Sequence, residues 1–320
     1  MPISKNIFMK QPMMRKVLYS LIPVIFGAIY FFGWRTIILM SVVVLFGFLT
    51  ELIFKRKQKK PVTEAVIVSA ILFTLTLPVS TPFWVAIIGI IFGIAFAKEV
   101  FGGFGHNVFN PALAGRTFLY VCFPEYLTVR WNVAADTFPG GFLQYMTPAV
   151  DTMSSSTPLT ILRQTGEALP LQQLFWGNVS GSMGETSVFL ILIGAVILLY
   201  TKAADWRLMV SPIIGFVGLS SILTLMGVAN DPGPLFGLLS GGILFVAIFF
   251  ATEPITAPKN KEAKIIYGLF IGIITLLIRV YGIFVGGAMF AVLIMNTFAP
   301  IIDIGFKNLN SRKRKQVKAA

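Results

Sequence analysis

Ten apolar stretches, each broken by only a few polar residues, occupy most of the chain between residues 17 and 300. They run over residues 17–33, 35–54, 64–78, 83–97, 111–123, 187–200, 208–226, 235–251, 265–280 and 283–300. A helix that crosses a bilayer needs about 20 mostly apolar residues. Charged residues make up 12% of the chain, against about 25% in a soluble domain, so most of it cannot face water. The stretches predict an all-α, polytopic membrane protein of about ten transmembrane helices. Those at 111–123 and 187–200 are short and read either as half-helices or as helices extended into their flanks.

The formal net charge is +13, which by itself would suit a nucleic-acid binder. Its placement argues against that. With the N-terminus inside, all of the 26 Lys and Arg residues except Arg35, Arg130, Arg163 and Arg279 fall in segments on the inner side. Lys55, Lys98 and Arg116 count among these inner charges. Such asymmetry follows the positive-inside rule. It predicts both termini in the cytoplasm, in a bacterial or archaeal cytoplasmic membrane, with anionic lipid head groups as the partners of the basic loops and no nucleic acid. No small-residue cleavage site follows the first apolar run, so no cleavable signal peptide is expected.

Cys122 and His106 are the single members of their types. One thiolate holds neither an iron–sulfur cluster nor a Cys-based zinc site, and no metal site is expected. No Gly-x-Gly-x-x-Gly follows a strand pattern, so direct NAD binding is not expected. The stretches divide the chain into a first five-helix unit (1–123), a long polar segment outside the cytoplasm (124–186), a second five-helix unit (187–306) and a basic inner tail (307–320). Gly89 and Gly93 before Val100-Phe101-Gly102 parallel Gly268 and Gly272 before Val280-Tyr281-Gly282. The paired helices run in opposite directions, which suggests an inverted repeat of the kind found in transporters. The glycines also have a plainer explanation, since small residues let membrane helices approach closely.

Three segments could carry chemistry. Lys98 to Arg116 contains Gly102, Gly103, Gly105, Asn107 and an Asn110-Pro111 step that suits a helix start. Irregular polar backbone at membrane depth survives where it is buried in protein or lines a cavity, so this is either a site for a planar polar ligand or a tight re-entrant turn. Asp151 to Thr160 is rich in hydroxyls. Ala251 to Pro258 places Glu253 near a helix C-terminus, where negative charge is disfavoured and calls for a reason such as an ion path. Glu51 and Asp303 lie at comparable inner boundaries, where interfacial solvation explains them equally well.

Together these three motifs, in this order, resemble RnfD, a membrane component of the Rnf complex, which is an ion-pumping ferredoxin:NAD oxidoreductase. RnfD is homologous to NqrB of the sodium-translocating NADH:quinone reductase. The resemblance covers nearly the whole chain, and the start of the first helix near residue 17 points to the Rnf branch. It implies an electron-carrying subunit that is not catalytic alone, coupled to sodium or proton translocation. It implies FMN joined by a phosphoester to Thr157, through an Asp-x-x-Ser-x-x-Thr motif that Asp151, Ser154 and Thr157 match and that a flavin transferase reads. Ser155 and Ser156 stand where the family often has Gly-Ala, which makes Ser156 a rival acceptor. The resemblance further implies a noncovalent riboflavin at Asn107 and Asn110, and acids for cation passage at Glu51, Glu253 and Asp303. Partner subunits would supply the iron–sulfur and further flavin centres, including a flavin subunit on the outer face. The alternative is a small-solute channel or transporter of the urea or ammonium type.

Overall fold

The structure, a computed structural model, describes residues 8–135, 139–145, 156–228, 230–282, 284 and 286–319. Its architecture is all-α, with one two-stranded parallel pair, Phe8–Met9 (β1) beside Val62–Thr63 (β2). The first half comprises α1 (Pro12–Phe32), α2 (Arg35–Gln58), α3 (Ala65–Leu75), α4 (Phe83–Ile94) and α5 (Pro111–Cys122). Four short helices follow: α6 (Pro124–Thr128), a 3-10 turn (Gly140–Leu143), α7 (Pro158–Thr165) and α8 (Leu171–Trp176). The second half comprises α9 (Val188–Tyr200), α10 (Trp206–Leu225), α11 (Pro234–Leu239), α12 (Ile243–Phe245), α13 (Lys261–Tyr281) and α14 (Ala288–Ala319). Among the described residues, α1, α2, α10, α13 and the Ala288–Leu309 part of α14 are long and apolar enough to cross a membrane, while α3 and α9 are shorter apolar helices. The chain is a polytopic membrane protein.

Every one of the ten apolar stretches contains helix, but two differ from expectation in outline. Residues 235–251 do not form one helix. The run breaks at Ser240-Gly241-Gly242, where Gly241 takes φ +60°, a backbone region that costs glycine little and other residues more. The last helix starts at Ala288 rather than near 283, beyond the Gly286-Gly287 pair. The polar segment 124–186 is folded where it is described. Leu159, Leu174 and Val179 form a small apolar cluster with Phe236 of α11.

Both α4 and α12 continue into π turns, Ala95–Glu99 and Val246–Phe250. Val100 N–H donates to Ala95 O at 3.0 Å and Ala251 N–H to Val246 O at 2.8 Å. Such widened turns often occur at functional sites, and here the first delivers Lys98 and Glu99 to the interior.

The paired glycines serve close approach. A Cβ at Gly272 of α13 would lie 2.0 Å from Pro212 O of α10, and one at Gly93 of α4 would lie 2.3 Å from Pro111 O of α5. The two pairs thus face helices at different positions in their halves, so packing explains them without a repeat. Gly272→Val is expected to destabilise the protein by about 1–3 kcal/mol through overpacking. Gly218→Val on α10, where a Cβ meets nothing within 4 Å, should cost far less. Thermal unfolding of the two variants in detergent checks the contrast.

Candidate functional site

Two clefts gather the residues singled out by the sequence. The first lies beside the glycine-rich motif. Glu51 of α2 is fully buried and meets Lys98 Nζ at 2.6 Å. Its Oε1 also accepts from Thr63 N at 3.0 Å and Thr63 Oγ1 at 2.7 Å, and Lys98 donates to Thr63 Oγ1 at 2.8 Å. The short β1–β2 pairing fixes Thr63 in place for this. A second buried pair, Lys55 Nζ with Glu99 Oε2 at 2.9 Å, stands alongside. Two lysines and two glutamates therefore neutralise one another out of water, which buried charges must do.

This quartet explains one glycine of the motif. Gly103 takes φ +89°, and a Cβ there would lie 2.2 Å from Lys55 Nζ. Any side chain at that position would displace the ammonium. Asn110 caps α5, its side chain accepting from Leu113 N at 3.0 Å. Its amide donates to Glu253 Oε2 at 2.8 Å, and Thr256 Oγ1 donates to the same oxygen at 2.9 Å. Asn110 N–H donates to Asn296 Oδ1 at 3.2 Å, and Asn296 in turn donates to Tyr267 OH at 2.8 Å. Lys98, Asn107, Asn110 and Glu253 line one cavity of about 50 Å³, room for a few waters. Asp303 is not among its lining residues. Its carboxylate accepts from Lys259 N at 2.7 Å and Asn260 N at 2.9 Å, the amides that precede α13.

The second cleft holds Thr157. Thr157 is the N-cap of α7, with extended backbone and no side-chain capping bond. Its hydroxyl lies 2.8 Å from that of Thr160. Arg116, Tyr120, Trp131, Glu185 and Ser240 line the same cleft. Arg116 pairs with Glu185 and donates to Ser182 Oγ at 3.2 Å. Asp151 and Ser154 lie outside the described residues.

The two clefts are linked by α5, since Asn110 caps its start and Arg116 and Tyr120 stand further along it. At 1.5 Å per residue, the steps from Asn110 to Arg116 and Tyr120 are about 9 and 15 Å along the axis. The helical run Ile243–Phe250 links them too, with the Ser240–Gly242 break before it and Glu253 just after it.

A family model for the "NQR2, RnfD, RnfE family" matches residues 3–311. The chain belongs to this family. It is 36% identical over 298 residues to NqrB, a component of the Na(+)-translocating NADH-quinone reductase, of Klebsiella pneumoniae, covering 90% of this chain and 69% of that one. It is 37% identical to the corresponding protein of Chromohalobacter salexigens, covering 84% and 65%. It is 32% identical to RnfD, a component of the Na(+)-translocating ferredoxin:NAD(+) oxidoreductase complex, of Acetobacterium woodii, covering 91% and 87%. The chain spans about two thirds of the length of the quinone reductase relatives. Similarity within the family therefore runs to both of its branches.

Three charges differ from their reading in the sequence. Lys55, Lys98 and Arg116 read as inner loop charges, and all three are buried in ion pairs. The partners of Lys98 and Arg116, Glu51 and Glu185, are 47 and 69 residues away in the chain, so no local pattern reveals the pairing. Arg116 has one legible sign: it falls inside the predicted helix 111–123, where an unpaired charge is costly.

Proposed function

We propose that this member of the NQR2, RnfD, RnfE family is an electron-carrying flavoprotein subunit of an ion-translocating oxidoreductase, with FMN joined by a phosphoester to Thr157. The observation that carries this reading is the position of Thr157, at the uncapped start of α7 and on the wall of a cleft with aromatic and cationic lining. The first amides of a helix lack partners within it, and its N-terminus favours a phosphate group. Arg116 Nε and Ser240 Oγ are buried without a hydrogen-bond partner, which leaves polar groups beside Thr157 for a ligand. The residues present fit an FMN whose phosphate is fixed at Thr157. FMN bound there would supply a carrier that passes electrons without leaving the protein.

Asp151 and Ser154 would be read by a flavin transferase, and the cleft would face outward, opposite the cytoplasmic termini. Iron–sulfur and flavin subunits, one of them on the outer face, would complete the complex. The assembly would be of the Rnf type, coupling ferredoxin:NAD electron transfer to sodium or proton movement, and the FMN reading stands equally for the quinone reductase branch. In both halves the helices pair in the same order, α2 with α4 and α4 with α5, then α10 with α13 and α13 with α14, while α1 packs on α9. This order supports two inverted five-helix units.

A noncovalent riboflavin at Asn107 and Asn110 fits less well. Asn110 spends its amide on Glu253 and its carbonyl on Leu113. A cation path past the adjoining cavity has Glu253 and Lys98 at its walls, with Glu51 behind Lys98 as its ion-pair partner. Asp303 would then support the path only through the start of α13.

The chain coexpressed with a flavin transferase is expected to give a denatured gel band that fluoresces under ultraviolet light. A dark band with transferase present would favour the small-solute channel, for which the broken helix at Ser240–Gly242 is the structural argument.

A further inference from the structure

We propose that Arg116 sets the redox potential of the flavin carried on Thr157, with Glu185 as the counter-charge that moderates it. The inference rests on the FMN assignment above and adds the protein groups that meet the polar edge of the ring.

Arg116 and Ser240 come from separate parts of the fold, the middle of α5 and the break before α12. Arg116 is 9% exposed and Ser240 1%. Both line the cleft of Thr157, and each keeps a polar atom, Nε and Oγ, without a partner. Buried unsatisfied polar groups are uncommon in folded proteins, and two on the wall of one cleft point to a ligand that bonds them. The pyrimidine edge of an isoalloxazine carries two carbonyl oxygens, an acceptor nitrogen and an N–H. A guanidinium N–H donates to such an edge, and a hydroxyl can donate or accept. Tyr120 and Trp131, also on the cleft wall, offer aromatic surface to the ring.

Charge gives the pair its role. Reduction of a flavin puts negative charge on the N1–C2=O edge, so a nearby cation favours the reduced form and raises the potential. Glu185 opposes this, because its carboxylate pairs with Arg116. The helix break keeps Glu185 close. A Cβ at Gly242 would lie 2.5 Å from the Glu185 carboxyl carbon, so the glycine lets the carboxylate pack against the break. In a site removed from water such charges act more strongly than at a surface.

The test is a redox titration of the full chain, purified after coexpression with a flavin transferase, with covalent FMN confirmed first by gel fluorescence. Arg116→Gln should shift the midpoint to lower potential and Glu185→Gln to higher potential. Each shift should be at least tenfold in the ratio of reduced to oxidised flavin, about 30 mV for a two-electron couple. Arg116→Lys, which keeps the charge, should shift it less than Arg116→Gln. Unchanged potentials in Arg116→Gln and Glu185→Gln, with FMN still attached, overturn the proposal. If Arg116→Gln does not fold, Glu185→Gln decides alone: an upward shift supports the role and no shift overturns it. A wild-type chain without covalent flavin is a different failure, that of the FMN assignment itself.

Discussion

Lys98→Met is expected to destabilise the folded protein by about 3–5 kcal/mol, the scale measured when one member of a buried ion pair is removed. Lys98 is 2% exposed and its ammonium meets Glu51, which is fully buried. Without the ammonium, Glu51 keeps only the two Thr63 donors and its charge is left uncompensated. The double variant Glu51→Gln/Lys98→Met removes both charges and should recover most of the loss, because a buried pair replaced as a whole is often close to neutral. A double-mutant cycle read by thermal unfolding in detergent measures the coupling. Equal losses in the single and double variants would contradict the pairing. The cycle also bears on function, since Lys98 lines the cavity that contains Glu253.

Thr157→Ala is expected to abolish covalent flavin entirely, because a phosphoester needs the hydroxyl oxygen. Ser156→Ala should leave it intact, although Ser156 is the adjacent hydroxyl and is half-buried like Thr157. What separates the two is the backbone. Thr157 is the N-cap of α7 and Ser156 precedes it, so only the former places its substituent at the helix start, where the dipole favours negative charge. Gel fluorescence of the two variants, expressed beside the wild type, reads the difference directly. Fluorescence that persists in Thr157→Ala and vanishes in Ser156→Ala would move the attachment by one residue.

Much of the architecture is legible in the sequence because membrane helices announce themselves by length and apolarity. Asn110 is legible as a helix start, since Asn is a good N-cap and Pro suits the first helical position, and it does cap α5. Glu253 is legible as a carboxylate in a costly place, and the structure supplies the Asn110 and Thr256 donors that hold it. The buried charges are not legible. A lysine in a basic cluster looks like a loop charge until the fold brings a carboxylate to it, and Lys55 and Lys98 meet theirs only once α2 packs beside the π turn of α4. The break in the second half is hidden for a related reason. Ser240-Gly241-Gly242 sits within an otherwise apolar run, and glycine alone does not stop a membrane helix. At the break Arg279, 42 and 38 residues away, donates to Gly237 O at 2.7 Å and to Gly241 O at 3.4 Å, contacts that no local pattern reveals.

The attachment of FMN to Thr157 is the claim on which the flavoprotein reading depends. Mass spectrometry of the proteolytic peptide that contains Thr157, prepared from chain coexpressed with a flavin transferase, tests it most directly. The expected peptide is heavier by FMN less one water, with the adduct localised to Thr157 on fragmentation. An unmodified peptide, or an adduct on any other residue, would contradict the assignment.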